Sequence, residues 1–414
     1  MQATTFRARR VDDIDSQWRI VFNDYWPAYE TWYRQRKMFD INPESLKQGQ
    51  RQLASVMPEM LPLYEAMLEV ANDCPLAAQF LTGYQPPAYL LNCSQAVLLD
   101  EEPLLIRNYD LSPHLSENMV THSDWLGHRI IGTNECLWGL DDGMNAAGLA
   151  ASVTFGGNNR VGKGFGIPFI VRYLLQTCET VKQGVRLLQR VPSHMAYNVT
   201  LVDRQGSFAT VMLSPGLTAI VTRERSITNH QAQVTWPEQA AFSKTLQRKR
   251  FLDELLSGGR LNERKLLSAF LAPPLFNSDY RRNFGTIYTA AYRPLSETMS
   301  YHWPGEQAWN RDFTGFRAGE KSVVLGKYTS LSAEQGYLIS GSVPQHGLSD
   351  NIRQQLLQGL LYLPASVVSR PDLLDNMKRE LKADASFSWA DYAEMMAQLW
   401  RHSGSGHRSY IGCR

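Results

Sequence analysis

The sequence lacks the features of several large protein classes. No run approaches the roughly 18 apolar residues of a membrane-spanning helix, and acidic residues follow the N-terminal arginines where a signal peptide needs an apolar core. The 42 Lys and Arg nearly balance the 40 Asp and Glu, which leaves a net charge of +2. Nucleic-acid binding through bulk charge is therefore not expected. We expect a cytoplasmic protein with no membrane association.

Cysteine is scarce, and no two cysteines form a C-x-x-C pair. A chain of 414 residues does not need disulfides to stabilise its core, so the spacing favours reduced thiols. The five are Cys74, Cys93, Cys136, Cys178 and Cys413. The nine histidines show no H-E-x-x-H pattern and no Cys/His ligand spacing. We therefore expect neither a metal nor a cofactor.

The order of periodic segments predicts the fold class. Residues 16–73 have helical spacing, and short strand-like runs in hairpins follow from residue 93, interrupted by a helical pair at 168–190. A mostly helical tail begins near residue 349. Hairpins with paired helices do not fit an alternating β-α-β order. They predict an α+β fold in which antiparallel sheets are covered by helices, in four layers.

One nucleotide-binding pattern is present but incomplete. Residues 157–163 fit G-x-x-x-x-G-K, yet position 164 is Gly where a Ser or Thr hydroxyl would bind Mg²⁺. The strands around it also have an antiparallel rather than a parallel texture. We interpret this segment as a flexible glycine-rich loop at the rim of a pocket.

The stretch NCSQAVLLDEEPLLIRNYD predicts a β-hairpin around a four-residue turn at residues 100–103. In that register Cys93 lies opposite Asp110, with Cβ atoms about 4.5–5.5 Å apart. Arg107 would face the other side of the sheet unless a bulge occurs near Asn108. A cation beside a thiol lowers its pKa and activates it. The residues alone leave two interpretations open: an activated cysteine, or a half-buried cysteine near a surface Arg–Asp pair.

This hairpin resembles the nucleophile hairpin of N-terminal-nucleophile (Ntn) amidohydrolases. Within that superfamily the chain is similar to the C45-type branch that holds acyl-CoA:6-aminopenicillanate acyltransferase. Further segments resemble that branch in order, over roughly residues 60–300. These are DDGMNAAGLAASVTF, the helical pair GFGIPFIVRYLLQTCETVKQGVRLLQRVP, YNVTLVDRQG, TNH at 228–230 and GTIYTAAYRP at 285–294.

The resemblance implies an αββα sandwich made as a precursor that Cys93 itself cuts between Asn92 and Cys93. Residues 1–92 would form a helical N-terminal segment, and residues 93–414 an Ntn-hydrolase domain with a helical C-terminal tail. The new α-amine would serve as base for its own thiol, because its unperturbed pKa of about 7.7–8.0 is close to working pH. The alternative is an uncleaved, catalytically inactive binding protein of the same fold.

The resemblance also assigns roles residue by residue. Asp110 would orient the amine or thiol, Arg107 would lie in the same pocket, and the Asn198 amide would donate to the oxyanion. A strand-edge asparagine making a local backbone bond is the alternative for Asn198. A further pocket arginine corresponds to Arg248 or Arg250, a choice the alignment leaves open.

The expected substrate is a small-molecule linear amide or an acyl-CoA-type thioester, and hydrolysis and transfer both remain open. The aromatic N-terminal helices are interpreted as packing surface. Covering the pocket or forming a homo-oligomer are their alternative roles.

Overall fold

The computed structural model describes residues 2–37, 42–259, 261–280 and 284–326, together with Arg379. The predicted helical tail lies outside the described residues except for Arg379. Cys413 also lies outside them. The helices are α1 (Arg19–Lys37), α2 (Pro43–Val56), α3 (Leu61–Val70), α4 (Pro75–Leu81), α5 (Ile167–Thr177), α6 (Val181–Arg190), α7 (Pro237–Ser243), α8 (Thr245–Ser257) and α9 (Glu263–Phe270). A π-helical turn (Ile14–Trp18) precedes α1, and a 3₁₀ turn (Pro58–Met60) precedes α3.

The N-terminal helices confirm the helical periodicity of that segment. At the start of α2, the Asn42 side chain accepts a hydrogen bond from the Ser45 amide at 2.9 Å, and Pro43 occupies the first turn. An Asn cap followed by Pro satisfies a free amide and presets the backbone angle, so this helix begins where the sequence indicates.

The strands form two sheets. Their bounds are β1 (Gln2–Arg10), β2 (Asn92–Leu99), β3 (Pro103–Leu111), β4 (Met119–Trp125), β5 (His128–Glu135), β6 (Gly139–Asn145), β7 (Leu149–Phe155), β8 (Tyr197–Asp203), β9 (Phe208–Leu213), β10 (Ile220–Thr222), β11 (Ser226–Ile227), β12 (Gly285–Arg293), β13 (Thr298–His302), β14 (Trp309–Asp312) and β15 (Gly319–Leu325). The first sheet has the order β10-β9-β8-β7-β6-β5-β4-β1-β15, and the second has the order β11-β2-β3-β12-β13-β14. Among the described strands, every pairing is antiparallel except that of β1 with β4.

The two sheets pack face to face, and each is covered by helices on its outer face. Strands β2 and β3 contact β7 and β8 across the sandwich. Helices α5 and α6 cover the larger sheet, while α8 and α9 cover the smaller one. The fold is therefore the predicted α+β sandwich with four αββα layers.

Strand β1 was not anticipated from the sequence. It pairs with β15 on one side and with β4 on the other, within the nine-stranded sheet. Phe6 and Ala8 are buried. Arg7, which lies between them, and Arg9, which follows Ala8, are half-buried at the surface. This alternation is the period of a strand with one buried face.

Among the four cysteines that the structure describes, one differs from the expectation. Cys93, Cys136 and Cys178 are free and buried, whereas Cys74 is disulfide-bonded. The expectation of a reduced thiol is therefore wrong at Cys74. In the part of the chain that the structure describes, no helix is long and apolar enough to cross a membrane.

Candidate active site

The hairpin that carries Cys93 is formed as predicted, but its register differs. The structure pairs Asn92 with Asp110 and Cys93 with Tyr109, around a three-residue loop at residues 100–102. The predicted pairing of Cys93 with Asp110 is therefore wrong by one residue. Side chains alternate along a strand, so a slip of one residue exchanges the two faces of the hairpin.

The corrected register brings Arg107 to the cysteine. Cys93 and Arg107 face the opposing sheet together, and no bulge between β2 and β3 is needed to achieve this. The Arg107 Nη2 atom donates to Cys93 Sγ at 3.1 Å, and its guanidinium carbon lies 4.7 Å from the centre of the Tyr109 ring. All three side chains are buried. A fixed cation next to sulfur favours the thiolate over the thiol.

Arg107 is held from the opposing sheet by strand β6. Its Nη1 atom donates to the Asp141 carbonyl oxygen at 3.0 Å and to the Asp142 carboxylate. Asp142 also accepts from the hydroxyls of Tyr288, at 2.8 Å, and Tyr292, at 2.5 Å. A buried ion pair is stable only when its remaining polar atoms are satisfied, and these hydroxyls satisfy the carboxylate.

The backbone of Cys93 is held by two residues from elsewhere in the chain. The Cys93 amide donates to Asn229 Oδ1 at 3.1 Å, and its carbonyl oxygen accepts from Arg248 Nη1 at 2.5 Å. Arg248 Nη2 donates to the same Asn229 oxygen at 2.6 Å. Arg248 is buried while Arg250 is exposed, so the structure places Arg248 at Cys93.

No sequence pattern assigns a role to Asn229, although TNH at 228–230 is one of the segments that resemble the family. A close approach of backbone fixes its position. A Cβ atom on Gly157 would lie 2.4 Å from the Asn229 carbonyl oxygen, and Gly157 has a φ of +69°. Only glycine combines this backbone conformation with such a close approach. The glycine-rich segment thus packs against the site.

Asp110 lies on the face of the hairpin opposite to the Cys93 thiol. Its Oδ1 atom accepts from the Thr286 hydroxyl at 2.7 Å. Burial raises the pKa of Asp110 to about 6, and the positive charges of Arg248 and Arg107 only partly oppose that shift. On the same side, Asn92 Oδ1 accepts from the Gln239 amide at 3.1 Å.

Asn198 contacts the segment that carries Asn229. Its Nδ2 atom donates to the Thr154 hydroxyl at 3.0 Å and to the carbonyl oxygens of Thr228 and His230 at 3.3 and 3.2 Å. These bonds reach a distant part of the chain, so they are not the local backbone bond of the alternative interpretation. The Asn198 amide therefore holds the residues on both sides of Asn229.

The environment keeps the thiol protonated in the intact chain. Burial raises the pKa of Cys93 to about 12, and Arg107 opposes that shift while Asp110 and Asp141 add to it. A neutral thiol needs a base before it can attack a carbonyl carbon. Within the described ranges, no group of three or more His, Cys, Asp and Glu side chains could hold a metal ion.

Comparison with known proteins gives one family match. The model of the family described as acyl-coenzyme A:6-aminopenicillanic acid acyl-transferase matches residues 97–308, just over half of the chain. The matched range begins four residues after Cys93. No curated protein sequence matches the chain.

Several solved structures are similar over about half of this chain. Penicillin V acylase from Agrobacterium tumefaciens is 15% identical over 54% of this chain and 87% of its own, with a TM-score of 0.36. A mutant conjugated bile acid hydrolase from Clostridium perfringens is 11% identical over 55% and 96%, with a TM-score of 0.38. A Caenorhabditis elegans ortholog of N-acylethanolamine-hydrolyzing acid amidase is 14% identical over 49% and 93%, with a TM-score of 0.34.

Proposed function

Because the chain belongs to the acyl-coenzyme A:6-aminopenicillanic acid acyl-transferase family of Ntn hydrolases, we propose that it is an autoproteolytic cysteine amidohydrolase or acyltransferase. It acts on linear C–N amide or acyl-thioester bonds through an acyl-enzyme on Cys93. The observation that carries this proposal is the pair of contacts at Cys93. Arg107 donates to its sulfur, and Asn229 accepts from its backbone nitrogen.

The first reaction is the cut between Asn92 and Cys93. The Cys93 sulfur bonds to the Asn92 carbonyl carbon, the C–N bond breaks, and the nitrogen takes up a proton to become an α-amine. Water then hydrolyses the thioester, which gives a carboxylate on Asn92 and restores the thiol. The contacts of Asn229 and Arg248 with the Cys93 backbone support this role, since they fix the bond that is cut.

The second reaction uses the amine that the cut creates. The α-amine takes the proton of its own thiol, and the sulfur attacks the substrate carbonyl carbon. The C–N or C–S bond breaks, and the leaving amine or thiol takes the proton. Water or an amine then resolves the acyl-enzyme. Arg107 stabilises the thiolate. Asn229 Oδ1 accepts a hydrogen bond from the Cys93 backbone nitrogen before the cut and would orient the new α-amine after it.

The oxyanion donor is better sought at Asn229 than at Asn198. The Nδ2 atom of Asn198 already has three partners at 3.0–3.3 Å. The Nδ2 atom of Asn229 has two longer contacts, to the carbonyl oxygens of Leu91 at 3.4 Å and Phe155 at 3.5 Å. Leu91 belongs to the end of the chain that the cut sets free, and its departure would leave this donor for the substrate.

Intact mass spectrometry tests the proposal. We expect purified protein to consist of two chains that meet between Asn92 and Cys93, and Cys93→Ala to abolish both the cut and the acylation. Cys178→Ala is the matched control, because Cys178 is also a buried free thiol but lies outside the site. Amide hydrolysis by an intact chain that carries Cys93→Ala would overturn the proposal.

A thiol-reactive acyl probe separates the enzyme from a non-catalytic binding protein of the same fold. We expect the probe to label Cys93 in cleaved protein and to leave Cys178 unlabelled. An uncleaved chain without label at Cys93 would favour the binding protein.

A further inference from the structure

Where the proposed cut occurs, a described strand pairs with only one edge of β2. On that edge, β3 pairs with all of β2, and Asn92 lies opposite Asp110. On the other edge, β11 pairs with Gln95 and Ala96 and ends before Cys93 is reached. On this second edge, side chains rather than a strand therefore bind the chain beside the bond that would be cut.

The two sides of that bond are held differently. After the bond, Asn229 and Arg248 bind the backbone nitrogen and oxygen of Cys93. Before the bond, residues 86–91 form no helix or strand. The contact from Asn229 Nδ2 to the Leu91 carbonyl oxygen is 3.4 Å long, which is beyond the usual range of a hydrogen bond. The carbonyl side of the bond, which the sulfur attacks, thus has little backbone support of its own.

The side chain of Asn92 provides a further attachment on the carbonyl side. Its Oδ1 atom accepts from Gln239 Nε2 at 3.1 Å, and both residues are buried. The other polar atom of the glutamine, Gln239 Oε1, has no hydrogen-bond partner in the described part of the chain. Within that part of the chain, the polar contact of Gln239 is therefore directed at Asn92.

Helix α7, which carries Gln239, is attached to the site at both of its ends. At its start, the Trp236 ring meets the Phe155 ring edge-on, with centroids 6.4 Å apart. At its end, the Ser243 carbonyl oxygen accepts from Arg248 Nε at 2.8 Å. The same arginine binds the backbone of the nucleophile, so one connected set of contacts holds both sides of the bond.

We propose that Gln239 is a positioning residue for the cut, which holds Asn92 so that its carbonyl carbon faces the Cys93 sulfur. Attack within one molecule needs reacting atoms about 3–3.5 Å apart and aligned, and a carbonyl group held on one side only would reach this geometry less often. Gln239 itself takes no part in making or breaking bonds. This inference rests on the proposed function, since it concerns the first of its two reactions.

The rate of the cut tests the inference. Cell-free synthesis is stopped at set times, and intact mass spectrometry gives the fraction of cleaved chain. Gln239→Leu keeps the approximate size of the side chain without its donor. We expect it to slow the cut by about 2- to 10-fold, the range that one neutral hydrogen bond supplies. Glu238→Gln alters the exposed neighbour on α7 and should leave the rate unchanged.

A double-variant cycle separates positioning from a general effect on the fold. Asn92→Gly removes the acceptor, so Gln239→Leu should have no further effect on the rate in that background. Gln239→Glu is a second variant, because its carboxylate places an acceptor against Asn92 Oδ1. It should slow the cut more than Gln239→Leu does. Denaturant unfolding in a Cys93→Ala background checks that each variant folds.

Equal rates in wild-type protein, Gln239→Leu and Gln239→Glu would overturn the positioning role and leave the proposed function standing. Slowing by Gln239→Leu that is equally large with Asn92→Gly would do the same, because Gln239 would then act without the Asn92 side chain. If Asn92→Gly alone prevents the cut, the two Gln239 variants decide, and a rate in Gln239→Glu no lower than in Gln239→Leu would overturn the role. Absence of the cut in wild-type protein would overturn both.

Discussion

The two faces of the β2–β3 hairpin differ in chemistry, although they share one backbone. Near the turn, the face toward the helices is apolar: Ala96, Leu98, Leu104 and Ile106 pack with residues of α8 and α9. Asn92 and Asp110 lie at the far end of the same face. The face toward the other sheet is rich in polar groups. There Gln95 donates to the Thr200 hydroxyl at 2.6 Å, and Arg107 bonds to Cys93 and Asp142. The outer face, which lies toward the helices, contributes burial energy. The inner face, which lies toward the other sheet, carries Cys93 and Arg107.

The largest expected effect on the free energy of unfolding comes from removing the charge of Arg107 on the inner face. Arg107→Met would leave the Asp142 carboxylate buried without its ion-pair partner, which costs about 3–5 kcal/mol of unfolding free energy. Denaturant unfolding in a Cys93→Ala background measures this, since every molecule then remains one chain. Arg7→Met is the control, because Arg7 and Glu320 form an exposed pair worth at most about 1 kcal/mol. Equal losses in the two variants would contradict the importance of the inner face.

Truncation on the outer face should act on stability alone. Leu104 is fully buried in the cluster under α8 and α9. Leu104→Ala should lower the unfolding free energy by about 2–5 kcal/mol through lost burial and a cavity. In molecules that stay folded, the rate of Cys93 acylation should remain near that of the wild type. A large loss of acylation at unchanged stability would show that the two faces are not separable.

Arg248 lies where the two faces meet, at the start of β2. Arg248→Met removes the donor to the Cys93 carbonyl oxygen and to Asn229. We expect the cut at Asn92 to slow by about 10- to 100-fold, equivalent to about 1.4–2.8 kcal/mol of barrier. Arg250→Met changes an exposed residue two positions later and should have no effect. The fraction of cleaved chain over time, followed by mass spectrometry, distinguishes the two.

A gradual effect, spread over several pH units, is the pH dependence that Asp110 contributes. Its pKa is raised to about 6 in the folded protein, so the native state holds this proton more tightly than the unfolded state. The stabilisation is fully present below about pH 4 and is lost as pH rises through 6, by about 1.4 kcal/mol for each pH unit and about 3 kcal/mol in all. Unfolding free energies between pH 4 and 7 should show this decline in the Cys93→Ala protein. The decline should be absent when Asp110→Asn is added, and a decline of the same size there would assign it to another group.

The sequence predicted the layers but not the register. The hairpin at Cys93 and the sandwich follow from alternation and from short turns, which are local signals. The predicted register is wrong by one residue because residues 100–103 are equally compatible with a four-residue turn. In the structure the turn spans only residues 100–102, and Pro103 already pairs with Leu99. Turn length alone decides which face each side chain takes.

The two residues that hold the Cys93 backbone differ in how far the sequence alone predicts them. Asn229 lies 136 residues from Cys93 in the chain, and no local pattern connects them. Arg248 could have been chosen over Arg250, because it lies on the same helical stripe as the buried Leu252 and Leu256. The inner face thus depends on long-range contacts, while the helix that supports it follows a local period.

Strand β1 determines what the proposed cut would produce. It pairs with both β4 and β15, so a strand from the segment that precedes Cys93 lies between two strands of the larger sheet. Breaking the bond at Asn92 would free only the nearby chain end, while the strand stays paired along both of its edges. The product would be a two-subunit enzyme in which the smaller subunit donates a strand to the larger one. Separating the subunits would expose two unpaired sheet edges, so the smaller one would act as a permanent structural part rather than a discarded leader.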